Sequence, residues 1–296
     1  SDDGLPVSDD NIMRQALSYS SAVDLPIINH CEVHKLSSGG LMNEGWASNR
    51  LGVRGIPNSA EEIMVARDIA LAELTGGQLH IAHVSTSGSG DLVRRAKEKG
   101  LKVTCEVTPH HLTLSDEALL GLWGDRSPFG PLPQNAYDTD AKVAPPLRSL
   151  KDIASLVHGL RDGTIDIIAT DHAPHSTAEK LCTLEEAANG ISGLETALGA
   201  LMALVHSDDI SLSTLVERLT AAPARLLRNG LGTLRPGAAA DVTVFNPTQE
   251  WVVNSNAFVS KGRNTPLDGA TLRGKVVATI VGGNIAFSAQ ETAKGD

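Results

Sequence analysis

The chain has 296 residues, of which 41% are hydrophobic, and its 25 basic and 35 acidic residues give a formal net charge of −10. This length fits one large α/β domain with a small appendage. The acidic balance, without a Lys/Arg run, argues against nucleic-acid binding and is typical of proteins that handle small molecules, and no apolar run approaches the roughly 20 residues of a membrane span.

Short β-rich runs alternate with longer helical patterns through the first two thirds of the chain. Such alternation indicates βαβ units and a parallel sheet, and hence an α/β fold class. Gly76-Gly77 and Gly100 follow two of the helical patterns, at positions where glycine commonly ends a helix. The predicted elements are, in chain order, a strand at 25–30, a helix at 58–75, a strand at 78–83, a helix at 91–99, a strand at 102–107, a helix at 149–160, a strand at 165–170 and a helix at 193–205.

The last part of the chain changes character. Turn signals surround short β runs between 230 and 245, and another β run at 275–281 ends in two glycines. We therefore expect the α/β part to cover 1–229 and a small all-β appendage to cover 230–296. The Gly- and Pro-rich segment 123–140 is predicted to be a surface insertion.

Three of the four predicted strands end in a residue that can bind a metal. His30 closes the first strand, His83 the second and Asp171 the fourth. Strand ends face the active site in α/β barrels, and neutral imidazole and carboxylate are standard zinc ligands. A lone histidine at a strand end is more often structural, but three such endings in one sheet favour a metal site.

Seven motifs in this chain resemble those of dihydroorotases of the class I bacterial type, within the amidohydrolase superfamily. The motifs are Asp2-Asp-Gly-Leu-Pro-Val7, Asn29-His-Cys-Glu32, His83-Val-Ser-Thr86, Glu106-Val-Thr-Pro-His-His111, Lys142-Val-Ala-Pro-Pro-Leu-Arg148, Ala169-Thr-Asp-His-Ala-Pro-His175 and Gly193-Leu-Glu-Thr196. They occur in the family's order over essentially the whole chain. The resemblance implies a TIM-type (β/α)8 barrel of which this chain holds strands 5 to 8, with a C-terminal piece of a small β-sandwich.

The resemblance also implies roles for individual residues. Asp3, His30, His83 and Asp171 are implied to bind one or two Zn²⁺ ions, and Asp171 to act as the catalytic base in one direction and acid in the other. His175 and the backbone near Gly190 are implied to bind substrate, on either side of a loop at 175–192 expected to be mobile. Ala144 stands where the family usually has an asparagine that contacts substrate, a departure that is expected to weaken recognition. His110, His111 and His172 are expected to orient ligands or to be structural.

The implied activity is the reversible interconversion of N-carbamoyl-L-aspartate and L-dihydroorotate plus water, in pyrimidine biosynthesis. The family's His-x-His pair and the arginine that follows it are absent from this sequence. We therefore expect the chain to be the C-terminal part of a longer protein, with the missing N-terminal half as its partner. We also expect a homo-oligomer, with aspartate carbamoyltransferase as a candidate partner and no nucleic acid or membrane partner.

Two alternatives stay open. One is a non-catalytic dihydroorotase-like subunit that supports aspartate carbamoyltransferase assembly, which the missing His-x-His pair and Ala144 favour. The other is a hydantoinase- or allantoinase-like cyclic amidase, although those enzymes tend to carry a lysine where this chain offers Ser1-Asp-Asp-Gly4. A serine hydrolase is disfavoured because no G-x-S-x-G motif occurs.

The sequence also indicates a cellular compartment. The three cysteines, at 31, 105 and 182, are odd in number and scattered, as is typical of reduced thiols. The N-terminal residues have neither the basic start nor the apolar segment of a signal peptide. We therefore expect a cytoplasmic protein.

Overall fold

The computed structural model describes residues 4–122, 128–129 and 135–289. The segment 123–140, predicted to be a surface insertion, lies partly outside these described residues. Asp3 also lies outside them, so its predicted role as a ligand stays a prediction.

Helices and strands alternate along the described chain. The helices are α1 Asp10–Val23, α2 His34–Ser37, α3 Trp46–Leu51, α4 Ser59–Thr75, α5 Ser87–Glu98, α6 Pro109–Thr113, α7 Leu150–Asp162, α8 Thr177–Lys180, α9 Ala197–His206, α10 Leu212–Leu219 and α11 Ala221–Leu227. The strands are β1 Ile27–Asn29, β2 Met42–Asn43, β3 Gly55–Ile56, β4 Leu79–Ile81, β5 Val103–Val107, β6 Ile167–Ile168, β7 Val242–Val252, β8 Thr271–Val281 and β9 Asn284–Ser288. Short 3-10 helices lie at Asp116–Leu120, Thr139–Ala141 and Ser255–Ala257.

The central sheet is parallel and has the strand order β1-β4-β5-β6. Its strands are the four that the sequence predicts, and the α/β class with a parallel sheet is confirmed. Helices α4, α5 and α7 occupy the connections between neighbouring strands, as parallel pairing requires. Because every strand of the sheet runs in the same direction, the carboxyl ends of all four meet at one edge.

Two helix starts differ from the prediction. Helix α5 begins at Ser87, earlier than predicted, because the Thr86 side chain accepts a hydrogen bond from Ser89 N and caps the helix there. Helix α9 begins at Ala197 rather than near Gly193.

The apolar core lies between the sheet and its helices. Ile81, Cys105 and Val107 from the strands and Val65 and Leu160 from the helices are all fully buried there. Burial of this kind stabilises the fold by about 25 cal/mol per Å² of apolar surface removed from water.

Besides the short parallel pair β2-β3, the described chain has a three-stranded antiparallel sheet with the order β7-β8-β9. Leu272 of β8 is fully buried in a second core cluster that also contains Ala200 of α9, so this sheet packs against the α/β part. Other apolar side chains of this sheet are exposed to solvent, namely Val244, Val252, Val281, Ile285 and Phe287. In the described ranges, no helix combines the length and the apolar character that crossing a bilayer requires.

Candidate active site

The carboxyl edge of the parallel sheet collects the residues predicted to bind metal. His30 follows β1 directly, His83 lies two residues beyond β4, and Asp171 lies three residues beyond β6. β1 and β4 are neighbours, whereas β6 is the strand at the far side of the sheet. Two of the predicted ligands therefore come from adjacent strands and the third from across the same edge.

His30 and His83 meet directly. His30 Nδ1 and His83 Nε2 lie 2.9 Å apart, with the two rings at 74° to each other. The other ring nitrogen of His30, Nε2, lies 3.2 Å from Glu32 Oε2. This contact fixes the orientation of the His30 ring and leaves Nδ1 to face His83. It also lowers the pKa of the Glu32 carboxyl, more than partial burial raises it.

Burial disfavours protonation of the His83 ring. Burial, together with a smaller contribution from the adjacent His30, lowers the pKa of His83 to about 4, so the ring is neutral at pH 7. Its Nδ1 is buried without a hydrogen-bond partner. Burial likewise lowers the pKa of the nearby His110 to about 3, and His110 Nε2 is a second buried atom without a partner.

The histidine pair fits a zinc ion on chemical grounds. Zinc takes neutral imidazole at about 2.1 Å in tetrahedral geometry, which separates two nitrogens on one ion by roughly 3.4 Å. The observed 2.9 Å is shorter by about half an ångström, which a small rotation of either ring would supply. Within the described part of the chain, however, no group of three or more His, Cys, Asp or Glu side chains lies close enough to hold a metal. A complete site therefore needs further ligands.

Asp171 and His83 share an unusual backbone. Their φ angles are +47° and +32°, in the left-handed region that non-glycine residues seldom adopt. Strained backbone of this kind costs of order 1–3 kcal/mol and concentrates at functional sites. Asp171 is half-buried. Its role as a ligand and proton carrier stays a prediction.

The predicted substrate-binding residues His175 and Gly190 are brought together. His175 Nε2 lies 2.9 Å from Asn189 O, next to Gly190 in the chain. Gly190 has φ +151°, and a Cβ added there would meet Ala173 Cβ at 2.6 Å and His175 Nε2 at 2.8 Å. Only glycine fits this position, which lets the two ends of the loop approach each other closely.

Ala144 lies beside the same residues. Gly190 N donates to Lys142 O at 3.0 Å, and His111 Nε2 donates to Pro145 O at 3.0 Å, so the segment 142–145 runs between the loop and the buried histidines. The peptide bond between Ala144 and Pro145 is cis. The methyl side chain of Ala144 has no atom that can hydrogen-bond a substrate.

Two buried lysines tie down the loop 175–192: Lys142 lies outside the loop, and Lys180 lies within it at the end of α8. Lys142 Nζ donates to the carbonyls of Leu184 and Ala187 at 2.7 Å each, and Lys180 Nζ donates to Ala188 O at 2.8 Å and Thr139 O at 2.9 Å. Burial lowers the pKa of Lys180 to about 8. The loop expected to be mobile thus contains the short helix α8 and is tied to its surroundings by ammonium-carbonyl hydrogen bonds.

A second polar network lies next to these residues. Arg148, 2% exposed, donates to Ser85 Oγ at 3.0 Å, to Asn43 Oδ1 at 3.0 Å and to Ile56 O at 2.9 Å. The buried Glu61 carboxylate accepts hydrogen bonds from Ser85 N and Ser85 Oγ and lies 3.9 Å from Arg148 Nη2. This network ties the loop after β4 to the segment 142–148.

Sequence reasoning missed several of these residues. Glu32 was visible as part of the Asn29-His-Cys-Glu32 motif, where a carboxylate two residues from a ligand histidine is a signal for an orienting partner. His80, whose Nε2 lies 3.2 Å from Glu106 Oε2, alternates with the buried apolar residues of β4. Asn264, which contacts the loop 175–192, gave no signal in the sequence.

The sequence of this chain matches a protein family and curated relatives over most of its length. The model of the amidohydrolase family matches residues 3–286. The dihydroorotase of Syntrophus aciditrophicus is 50% identical over 287 residues, and that of Pelotomaculum thermopropionicum is 50% identical over 288 residues. Each match covers 97% of this chain but 64% of the relative, so the chain spans a little under two thirds of the length of these relatives.

Solved structures of related fold are also found. The dihydropyrimidinase from Brevibacillus agri matches with a TM-score of 0.79 at 22% identity, over 95% of this chain and 60% of that one. The L-hydantoinase (dihydropyrimidinase) from Arthrobacter aurescens matches with a TM-score of 0.79 at 26% identity, over 95% of this chain and 61% of that one. The resemblance to dihydroorotases that the motifs indicate is confirmed. The chain belongs to the amidohydrolase family.

Proposed function

We propose that this member of the amidohydrolase family acts as a dihydroorotase, a zinc-dependent cyclic amidohydrolase that interconverts L-dihydroorotate plus water and N-carbamoyl-L-aspartate in pyrimidine biosynthesis. The observation that carries the proposal is the pair of facing nitrogens of His30 and His83, 2.9 Å apart at the ends of adjacent parallel strands. The similarity to dihydroorotases, at 50% identity over 97% of the chain, supports the choice of reaction.

The proposed chemistry assigns a role to each residue. His30 and His83 would hold zinc through the nitrogens that face each other, with Asp171 and Asp3 as further ligands. When bound, zinc lowers the pKa of water toward 7 and polarises the amide carbonyl. An Asp171 carboxylate oxygen would accept the proton of the attacking water and return it to the leaving ring nitrogen. In the reverse direction the same oxygen would accept the proton of the attacking nitrogen and return it to the departing hydroxide.

Substrate binding is assigned to the loop ends. His175 and the backbone at Gly190 would contact the dihydropyrimidine ring, beside the segment that contains Ala144. Ala144 offers no side-chain hydrogen bond, so recognition there rests on the backbone. The loss of one such bond costs about 0.5–1.5 kcal/mol, which weakens binding without abolishing it.

The remaining ligands are proposed to come from a preceding part of the same protein. The four-stranded sheet would be strands 5 to 8 of a TIM-type (β/α)8 barrel, with the division near 229 and 230 separating it from a piece of a β-sandwich. The exposed apolar side chains of β7, β8 and β9 support this proposal, because they are available to pack against another part of the protein or a partner. An intact-mass measurement on purified protein tests it. A mass of 31.0 kDa with full activity and no companion fragment would contradict it.

Further assignments follow from the same proposal. We assign the protein to the cytoplasm, where its three cysteines, which form no disulfide, suit a reducing compartment. We also expect a homo-oligomer, with aspartate carbamoyltransferase as a candidate partner.

Two other functions have a specific observation in their favour. Ala144 favours a non-catalytic subunit that supports aspartate carbamoyltransferase, and the similarity in fold to hydantoinases favours a cyclic amidase of different specificity. Zinc content and turnover of L-dihydroorotate, dihydrouracil and hydantoin by the intact protein separate the three. A dihydroorotase binds zinc and turns over L-dihydroorotate with the highest kcat/KM. An inert protein, or one that prefers hydantoin, contradicts the proposal.

The zinc assignment has a separate test. His30→Ala should lower the zinc content measured by elemental analysis, whereas His158→Ala, at an exposed position on α7, should leave it unchanged. Equal zinc content in the two variants would remove His30 from the ligand set.

A further inference from the structure

Asn264 connects the C-terminal part of the chain to the proposed substrate loop. It lies between the 3-10 helix Ser255–Ala257 and β8, 74 residues beyond Gly190 in the sequence, and its side chain is 5% exposed. All the side-chain hydrogen bonds of Asn264 that the structure describes go to residues between 173 and 192.

The amide of Asn264 bonds both ends of the loop at once. Its Oδ1 accepts from His175 N at 2.8 Å and from Ser192 Oγ at 2.7 Å. Its Nδ2 donates to Ala173 O at 3.1 Å and to Gly190 O at 2.9 Å. The side chain thus joins the backbone of His175 to that of Gly190, and each of the two loop ends receives one bond from the donor and one from the acceptor of the amide.

Asparagine is suited to this position by its chemistry. A short amide offers two donor hydrogens and a carbonyl acceptor in one plane, and here both hydrogens and the acceptor are used. A carboxylate of the same shape would keep the acceptor but would set negative charge against two carbonyl oxygens. An apolar side chain would leave two carbonyls, an amide and a hydroxyl without these partners, all in a buried setting.

The backbone around Asn264 reinforces the contact. Ser192 N donates to Asn264 O at 2.7 Å. A Cβ added at Gly262 would meet Pro174 Cβ at 2.3 Å, so the segment before Asn264 lies directly against the residue that precedes His175. The separation between the His175 end and the Gly190 end is therefore held from outside the loop by Asn264, in addition to the direct hydrogen bond from Ala173 N to Ile191 O at 3.0 Å.

We propose that Asn264 is a positioning residue for substrate, which fixes the spacing between His175 and Gly190 and so sets the affinity of the pocket. This inference rests on the proposed function, because it takes the substrate contacts of those two residues from it. The hydrogen bonds of Asn264 go to the loop ends and not to the strand end at Asp171. Its loss should consequently fall on KM more than on kcat.

The test uses the intact, zinc-loaded protein with two substitutions and one control. Asn264→Ala removes all four hydrogen bonds, and Asn264→Asp removes the two donors while keeping the size of the side chain, so it serves even if the alanine variant does not fold. Asn256→Ala is the matched control, because the Asn256 side chain, in the same segment, accepts from the exposed Arg263. KM and kcat for L-dihydroorotate are measured together with amide hydrogen exchange along the chain.

The expected result is a KM raised about tenfold in both Asn264 variants, with kcat changed less than about threefold. Amide exchange should accelerate between 173 and 192 and stay unchanged elsewhere, and Asn256→Ala should match the unmodified protein. The proposal is overturned if Asn264→Asp leaves both KM and exchange unchanged, if kcat falls while KM does not, or if exchange accelerates along the whole chain.

Failure of the proposed function would give a different set of results from failure of the positioning role. An unmodified protein that binds zinc but does not hydrolyse L-dihydroorotate refutes the function, whereas the exchange measurement still reports whether Asn264 holds the loop. Unchanged exchange between 173 and 192 in both variants then overturns the positioning role as well.

Discussion

Gly190→Ala should impair both stability and substrate binding. The φ angle of +151° is accessible to glycine but strained for alanine, at a cost of order 1–3 kcal/mol. The added methyl would also lie 2.6 Å from Ala173 Cβ, 2.8 Å from Ala173 O and 2.8 Å from His175 Nε2, and forcing a methyl into such a site costs about another 1–3 kcal/mol. The free energy of unfolding should therefore fall by about 2–6 kcal/mol.

A matched glycine separates the two contributions. Gly100 follows α5 with φ +77°, and a Cβ added there meets nothing within 4 Å. Gly100→Ala carries the backbone cost alone, about 1–2 kcal/mol, and should leave turnover unchanged. Urea unfolding and steady-state kinetics with L-dihydroorotate measure both effects.

The two outcomes are distinct. For Gly190→Ala we expect the larger loss of stability and a raised KM, because the methyl pushes the His175 and Gly190 ends of the loop apart. Equal losses of stability in the two variants, with KM unchanged at position 190, would refute the close approach of these loop ends.

Four further predictions concern single side chains. Arg148→Ala should lower the free energy of unfolding by about 3–5 kcal/mol, because it strands the buried Glu61 carboxylate, and a loss under about 1 kcal/mol in urea would contradict this. Glu32→Ala should weaken zinc binding about 10- to 100-fold in a chelator competition, since the His30 ring loses its orienting carboxylate, and unchanged affinity would exclude that role. Ala144→Asn should lower KM about two- to tenfold if an amide there reaches the substrate, and an unchanged KM would speak against such a contact. Burial lowers the pKa of His110 from 6.5 to about 3, so between these pH values the unfolded chain binds a proton that the folded chain does not. The free energy of unfolding should therefore fall by up to about 1.4 kcal/mol for each pH unit of acidification in this range. His110→Phe should reduce this slope when it is measured by urea unfolding of metal-free protein.

The central sheet could be predicted because its local signals agree with its tertiary environment. The strand at 102–107 combines β-branched residues with flanking turn signals, and β5 spans Val103–Val107 as expected. Helix α4 ends where predicted because Gly76 adopts a left-handed conformation that closes the last turn. At these positions, sequence pattern and packing favour the same structure.

Other elements carried a weaker signal. Helix α1 was not predicted, although its buried positions Met13, Leu17 and Ser20 follow a helical spacing and Asp9 caps it by accepting from Ile12 N. Of these buried residues only Met13 and Leu17 are apolar, so the apolar periodicity is too short to predict the helix. Helix α1 packs against α4, a contact that the sequence does not reveal.

The candidate site likewise contains residues that the sequence could predict and residues that it could not. Residues at strand ends, such as His30 and His83, could be predicted because parallel strands bring their carboxyl ends to one edge. Asn264 could not, because its four side-chain bonds join residues 72 to 91 positions away and depend on how the C-terminal part of the chain packs against the α/β part. Contacts of this kind are set by tertiary structure and leave no local pattern.

We propose that Asp171 transfers the proton in a zinc-dependent hydrolysis of L-dihydroorotate. The most direct test compares turnover by the intact protein before and after Asp171→Asn, with zinc content and far-UV circular dichroism measured on the same samples. We expect a loss of turnover of at least about 10²-fold in a folded protein, the share that a positioned general base contributes. Near-normal turnover by a folded Asp171→Asn protein would contradict it.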